Sequence, residues 1–381
     1  MLYRRFGRTG LDISILGFGC MRLPTIGGAQ HQIDEEKALR MLYYAIDRGL
    51  NYIDTAYPYH SAVPFQEGMS EVFLGKALQG GYREKIHLAT KLPSWLIKSR
   101  EDMDRYLNRQ LERLQTGQID FYLLHGLNAS TWKKLKSLGV LEFLESAISD
   151  RRIRYAGFSF HDDPAAFKEI IDAYGWTFCQ IQLNYMDTRY QAGEEGLKYA
   201  AERGIAVVIM EPLKGGRLAS SPAVVRQVWE KAEVKRSPAE WALRFLWNYP
   251  EVSVVLSGMT EMEQVVENMR VAEQGAPNSL SPGELGLIEE ARGVYEKRMR
   301  VNCTNCRYCM PCLSGVDIPE IFNHLNNAYL YEDFKGSKQV YNAFTREKAS
   351  ACVKCGACEE FCPQHIPIMD VLTEVVELFE K

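Results

Sequence analysis

At 381 residues the chain is long enough for one large domain and a second, smaller one. Its 46% hydrophobic and 25% charged content is ordinary for a soluble globular protein, and a formal net charge of −4 argues against nucleic acid as the main partner. From residue 301 onward there are 7 basic and 11 acidic residues, so the tail carries the whole −4, which suits a small redox module better than a membrane-surface one. No stretch reaches the roughly 20 apolar residues that a membrane helix needs. The opening MLYRRFGRTGLDISILGFG is broken by Gly10, Asp12 and Ser14, unlike a signal peptide. The expectation is a cytoplasmic protein with no membrane partner.

In chain order, short β-rich runs recur at Ile13–Gly17, Tyr52–Asp54, Ile86–Thr90, Phe121–Leu124, Arg154–Phe158, Phe178–Leu183, Ala206–Met210 and Val252–Leu256. They are apolar on both faces, as parallel strands covered by helices are. Helical patterns lie between them. Asp34 can cap a segment that buries Ala38, Leu42, Ala45 and Ile46 and ends at Gly49, and Met103, Leu107, Leu111 and Leu114 recur at helical spacing. Eight strand–helix repeats predict a closed (β/α)8 TIM barrel over 1–271. An open doubly wound sheet is the alternative, but its glycine-rich turn reads here Gly17-Phe18-Gly19-Cys20-Met21-Arg22, without the third glycine.

Residues 272–299 read as a connector and charged helix, with breakers at Gly275, Pro277, Asn278, Ser281 and Pro282 before Gly283–Arg300. Beyond it, over 300–381, cysteine clusters alternate with apparent helices around Pro319–Leu330 and Ile368–Phe379. Of ten cysteines only Cys20 and Cys179 precede residue 300. A disulfide framework belongs to small secreted chains, so this packing points to metal or redox chemistry.

Active sites in such barrels sit where strands end. Asp54 and Tyr59 follow the second strand, Lys91 the third and His125 the fourth. A strand-end histidine, a loop tyrosine or a lysine after a strand is each, taken singly, an ordinary structural residue. At adjacent loops they converge, and the combination has a chemical reason. Hydride transfer to a carbonyl leaves an alkoxide that needs a proton. Tyrosine, with a reference pKa of about 10, is a reluctant donor or base near neutrality, and a nearby ammonium lowers that value. Tyr59 is therefore expected as the acid/base, Lys91 as its tuner, Asp54 as the anchor of Lys91, and His125 as the group that orients the substrate oxygen.

From about Arg5 to Ala272 the sequence resembles the aldo-keto reductase superfamily. The resemblance rests on Phe6-Gly7-Arg8-Thr9-Gly10, Leu16-Gly17-Phe18-Gly19, Asn51-Tyr52-Ile53-Asp54-Thr55-Ala56 with Tyr59 beyond, and Ser70-Glu71 leading to Leu74-Gly75-Lys76. It continues with Ala89-Thr90-Lys91, Asp120 through His125, and Gly157-Phe158-Ser159. It implies a nicotinamide cofactor, NADP(H) or NAD(H), across the barrel mouth, and a small carbonyl or alcohol substrate. It implies cofactor contacts from Gly19, Cys20, Met21 and Asp54, and Ser159 and Gln180 look like the positions that hold the carboxamide. Where the family has Asn after that Ser, this chain has Phe160 and His161. Met210 stands where an aromatic residue commonly stacks on the nicotinamide, in Met210-Glu211-Pro212-Leu213. Lys214, Gly215 and Gly216 follow the pyrophosphate in this reading. Glu267 and Asn268 resemble the adenine contacts. Gly258 and Gln264 stand where members that prefer NADPH often place cations, so the choice of nucleotide stays open.

Cys352-x2-Cys355-x2-Cys358-x3-Cys362-Pro363 matches the bacterial ferredoxin run. The run Cys303-x2-Cys306-x2-Cys309-x2-Cys312 is one residue shorter, with Leu313 in place of the proline and Pro311 before it. If the fourth cysteine of each run serves the other cluster, one [4Fe-4S] cluster uses Cys303, Cys306, Cys309 and Cys362, and a second uses Cys352, Cys355, Cys358 and Cys312. The helical spacing between the runs implies an α-helical ferredoxin type. Structural zinc on four thiolates is the alternative.

These readings predict an oxidoreductase that exchanges electrons with a redox partner protein. The rivals are a barrel kept as a binding or regulatory subunit, and clusters that only brace the fold. Clusters move single electrons whereas nicotinamide takes a hydride, and no flavin site is recognisable to link them.

Overall fold

The computed structural model describes residues 1–63, 65–303 and 306–381. It separates into two compact units, Met1–Gly215 with Ala239–Ser281, and Gly216–Pro238 with Pro282–Lys381. The segment expected as a connector is thus divided: 272–281 goes with the first unit and the following helix with the second. The short stretch from Gly216 to Pro238, expected inside the barrel domain, groups with the tail.

The first unit opens with a hairpin, β1 (Tyr3–Arg5) against β2 (Asp12–Ser14). The eight strands that follow are β3 (Leu16–Gly19), β4 (Tyr52–Asp54), β5 (His87–Leu92), β6 (Ile119–Leu127), β7 (Ile153–Phe160), β8 (Phe178–Gln182), β9 (Ala206–Met210) and β10 (Val252–Gly258). They pair in parallel around a closed barrel, with β10 bonded to both β9 and β3. Closure excludes the open-sheet alternative. The run Ile13–Gly17 is not one strand. It bends at Ile15, where the Ser14 hydroxyl donates to the Leu16 carbonyl at 2.8 Å, so that Ile13 serves the hairpin and Gly17 the barrel. A continuous apolar run carries no mark of such a bend.

Helices cover the barrel where the sequence patterns place them. Asp34 caps Glu35–Ile46 by accepting from the Lys37 amide, and Ser99 with Asp102 forms a capping box for Arg100–Arg113. Inside the barrel, Phe6 packs against Phe121, with ring centroids 4.6 Å apart, in a core shared with Tyr52, Phe178, Val208 and Val254. This filled floor leaves chemistry to the opposite rim, where the strands end.

The second unit, among the described residues, has helices Ala223–Trp229, Pro282–Glu296, Ile318–Tyr331, Phe334–Phe344, the short Ala357–Glu360 and Ile368–Val375, the last running on into Val376–Glu380. Its core gathers Val316, Ile318, Ile321, Phe322, Leu325, Tyr341, Ile368, Leu372 and Phe379, and Cys362 is buried among them. The Arg217 guanidinium meets Asp333 at 3.1 Å, and Tyr295 donates to Ser221 at 3.1 Å. No described helix is long and apolar enough to cross a membrane.

Candidate active site and cysteine cavities

Barrel register sets the heights of the site residues. Gly258, Gly19, Asp54 and Ala89 form one row across β10, β3, β4 and β5, and Ser159 pairs with Gln180 across β7 and β8. Lys91 follows two residues after Ala89 on β5, and its Nζ lies 2.6 Å from Asp54 Oδ1, 2.8 Å from the Thr55 carbonyl and 3.3 Å from the Tyr59 hydroxyl. His125 on β6 stands edge-on to Tyr59, ring centroids 6.3 Å apart. All four expected residues therefore meet at one place.

The loop that presents Tyr59 is held tightly. Gly68 donates to the Tyr57 carbonyl, and a Cβ at Gly68 would come 1.9 Å from the Tyr59 carbonyl oxygen, so only glycine fits. The next residue, His60, takes a positive φ of 61° and accepts from the Leu23 amide at 3.1 Å, while its other ring nitrogen lies 2.7 Å from the Gln30 carbonyl. His60 ties the loop after β3 to the loop carrying Tyr59.

Burial pushes Asp54 up from the usual carboxylate range, against the pull of Lys91. Burial alone would lower Lys91, but Asp54 and Tyr59 outweigh it and hold the ammonium above its ordinary value. For Tyr59 burial raises the phenol and Asp54 adds to it, which together outweigh the lowering by Lys91. The sequence-based expectation of a net lowering therefore does not hold: Lys91 restrains a phenol that burial keeps protonated. His125 is held well below the ordinary histidine value by burial, with Lys91 and His161 adding to it, so the imidazole is neutral. Its Nδ1 and Asp54 Oδ2 are buried with no hydrogen-bond partner among the described residues.

The residues expected to contact a nicotinamide separate into two groups. Ser159 Oγ accepts from the Gly126 amide at 2.7 Å, and Gln180 Nε2 lies 3.7 Å from Met210 Sδ, which brings Ser159, Gln180 and Met210 to one side of the rim. Gln180 Oε1 is a buried acceptor with no partner among the described residues, the chemistry an amide N–H of a carboxamide satisfies. Cys20 is buried and Met21 exposed directly after Gly19. Pro212 is buried, Leu213 half-buried, and Gly215 takes a φ of 68°. Lys214 is engaged elsewhere, ion-paired with Asp187 at 2.6 Å. Asn268 donates to Ser257 Oγ at 3.0 Å and faces the barrel wall, with Glu267 beside it on the helix Met262–Ala272. Gln264 caps that same helix through the Thr260 and Glu261 amides.

Three residues near the site have no place in the sequence-based set. Trp95, four residues past Lys91, lies over His125 with centroids 5.2 Å apart. His60 joins the loop after β3 to the Tyr59 loop. Arg22 lies along Gly258 and reaches Gly215: Cβ atoms built on those glycines would meet it at 3.2 and 3.3 Å. Lying in loops just past barrel strands marks all three; their partners, distant in sequence, do not.

In the second unit the thiols line two cavities. One, of about 20 Å³, is lined by Cys303, Cys306, Cys309 and Cys362 with Ile318, Phe322 and Ile366. The other, of about 330 Å³, is lined by Cys312, Cys352, Cys355 and Cys358, and also by Cys309. Burial first, then the neighbouring thiols Cys303, Cys306 and Cys362, push Cys309 up. Burial with Glu359 and Cys352 pushes Cys358 up to about 11. Acidic groups so crowded suit a cationic metal core. Among the described residues no three Cys, His, Asp or Glu form the tight shell of a single metal ion.

Residues 15–279 match the family model for the aldo/keto reductase family, and residues 302–366 match that for a 4Fe-4S dicluster domain. The chain is 29% identical over 302 residues to the uncharacterized oxidoreductase YqkF of Bacillus subtilis (strain 168), covering 71% of this chain and 91% of that protein. A second relative from that organism, the uncharacterized oxidoreductase YrpG, is 31% identical over 235 residues, covering 57% of this chain and 68% of its own length. Among solved structures, the aldo-keto reductase AKR11C1 from Bacillus halodurans, in its holo form, superposes with a TM-score of 0.62 at 28% identity, covering 76% of this chain and 96% of that one. The first family match spans more than half of the residues, and by it this oxidoreductase belongs to the aldo/keto reductase family.

Proposed function

We propose that the barrel catalyses reversible hydride transfer between NAD(P)H and a small carbonyl or alcohol, and that the tail holds two [4Fe-4S] clusters that exchange electrons with a redox partner protein. The observation that carries the first part is the Lys91 ammonium, held between Asp54 and the Tyr59 hydroxyl. In this reading Tyr59 gives its proton to the oxygen of the reduced carbonyl and takes it back in the reverse direction. Lys91 stabilises the phenolate left behind, Asp54 keeps Lys91 in place, and neutral His125 donates a hydrogen bond that orients the substrate oxygen. A bound nicotinamide would supply the hydride. Ser159 and Gln180 would hold its carboxamide, with Met210 against the ring and Gly19, Cys20, Met21, Gly215 and Gly258 along the rest of the cofactor.

The cysteines serve the tail in a crossed arrangement: Cys303, Cys306, Cys309 and Cys362 for one cluster, Cys352, Cys355, Cys358 and Cys312 for the other. Four thiols line one cavity and five the other, with Cys309 on both, and this grouping of Cys362 with the first run and Cys312 with the second supports the assignment. Tyr308, Leu313, Val353 and Phe361 line the second cavity and are exposed at 69%, 89%, 70% and 64%, an apolar rim that favours a docking partner. Nucleotide oxidation by the anaerobically purified protein, assayed with NADPH and NADH against small aldehydes and ketones, tests the barrel reading. Turnover of at least one carbonyl is expected; failure to bind either nucleotide overturns it in favour of a binding or regulatory barrel.

A further inference from the structure

The two cysteine cavities differ in charge. Among the described lining residues Arg307 is the one charged side chain of the first, and the second has no Lys, Arg, Asp or Glu. Ligand exposure does not separate them, since each has one exposed cysteine, Cys306 and Cys355. The Arg307 guanidinium is fixed by Asp317 at 2.8 Å. Asp317 does not line the cavity. Its other carboxylate oxygen accepts from the Glu320 amide at 3.3 Å and caps the helix Ile318–Tyr331. The anion is thus anchored on a helix end and the cation lies toward the cavity.

Adding an electron to a cluster adds negative charge, and a nearby cation stabilises that reduced form. Resting on the two-cluster reading above, we propose that Arg307, oriented by Asp317, holds the reduction potential of the cluster ligated by Cys303, Cys306, Cys309 and Cys362 above that of its neighbour. Arg307 is then a positioning residue for electrons rather than a ligand. Cys309 and Ile318 line both cavities, so the two sites are adjacent. An electron would pass from the second cluster to the first, with no bond and no proton moving. The apolar rim of the second cavity becomes the entry side, and the first cavity the place where the electron settles. With the Arg307 side chain 51% exposed, water and salt screen part of the effect, which is larger at low ionic strength.

The test is a redox titration of the full-length, anaerobically prepared protein, read by electron paramagnetic resonance, with Cys362→Ala identifying the first cluster's signal. The wild type should show the first cluster reduced at the higher potential. Arg307→Gln should move that midpoint to more negative values and leave the second midpoint nearly unmoved. Asp317→Asn keeps a capping side chain but frees the cation, and should move the same midpoint the opposite way. A purely structural role for the pair moves both variants in one direction or loses iron from both. Clusters whose midpoints ignore the two variants, or shift together, overturn the proposal alone. A wild type without acid-labile sulfide overturns the cluster reading and this proposal with it.

Discussion

Cys362 lines one cavity with Cys303, although it lies just past Cys352, Cys355 and Cys358 in the chain. Local ligation by each run would put Cys362 with its sequence neighbours. The crossed arrangement instead makes Cys362→Ala damage the cluster near Cys303, and Cys312→Ala the one held by Cys352, Cys355 and Cys358. Because Cys362 is also buried in the core of its unit, and metal binding is coupled to folding, either variant should loosen the tail. The barrel, with a core of its own, should still bind nicotinamide. Site-resolved spectroscopy decides: a signal lost from the Cys352–Cys358 cluster in Cys362→Ala contradicts crossing.

Metal content follows from the ligand count. Anaerobic preparations should carry about eight iron and eight sulfide per chain, as two cubanes require. One or two zinc ions with no acid-labile sulfide would support the structural-zinc alternative and leave the barrel reading untouched.

The protonation state of Tyr59 gives a pH prediction. Burial, assisted by Asp54, holds the phenol above its ordinary value against the pull of Lys91. Carbonyl reduction uses the protonated form, which is present at every pH below that raised value, so Tyr59 should cause no loss of reduction up to the ordinary tyrosine value of about 10. Alcohol oxidation uses the phenolate and should rise with pH. Lys91→Met removes the cation that favours phenolate, so its oxidation limb, besides a lower rate, should move to higher pH. Asp54→Asn removes an anion and should move the limb to lower pH. Shifts of the same sign in pH–rate profiles of the two variants would contradict this electrostatic account.

Much of this was legible in the residues, for identifiable reasons. Two-sided apolar runs separated by capped helices mark parallel strands whatever closes them, and all eight barrel strands lie where such runs do. Asp54 ends β4, Tyr59 lies in the loop after it, and Lys91 and His125 stand in the last three residues of β5 and β6, so all four share one rim. The bend at Ile15 escaped because apolar continuity conceals a change of partner. The raised Tyr59 phenol escaped because spacing reveals a neighbouring cation but not how dry the site is. Lys214 and Asn268 resemble nucleotide contacts, and the partners they also hold in the fold, Asp187 and Ser257, are contacts that no motif encodes. His60 and Gly68 hold the Tyr59 loop by backbone geometry, visible only once the loop is built.

The central claim, that Tyr59 is the proton donor of a carbonyl reductase, is tested most directly by the rate of carbonyl reduction in Tyr59→Phe under saturating nucleotide. The substitution removes only the hydroxyl near Lys91 and leaves the ring beside His125. Nicotinamide binding should persist while reduction falls by about 10²–10⁴-fold, the usual loss when a general acid is removed. A variant that reduces the carbonyl at nearly the wild-type rate would contradict the account.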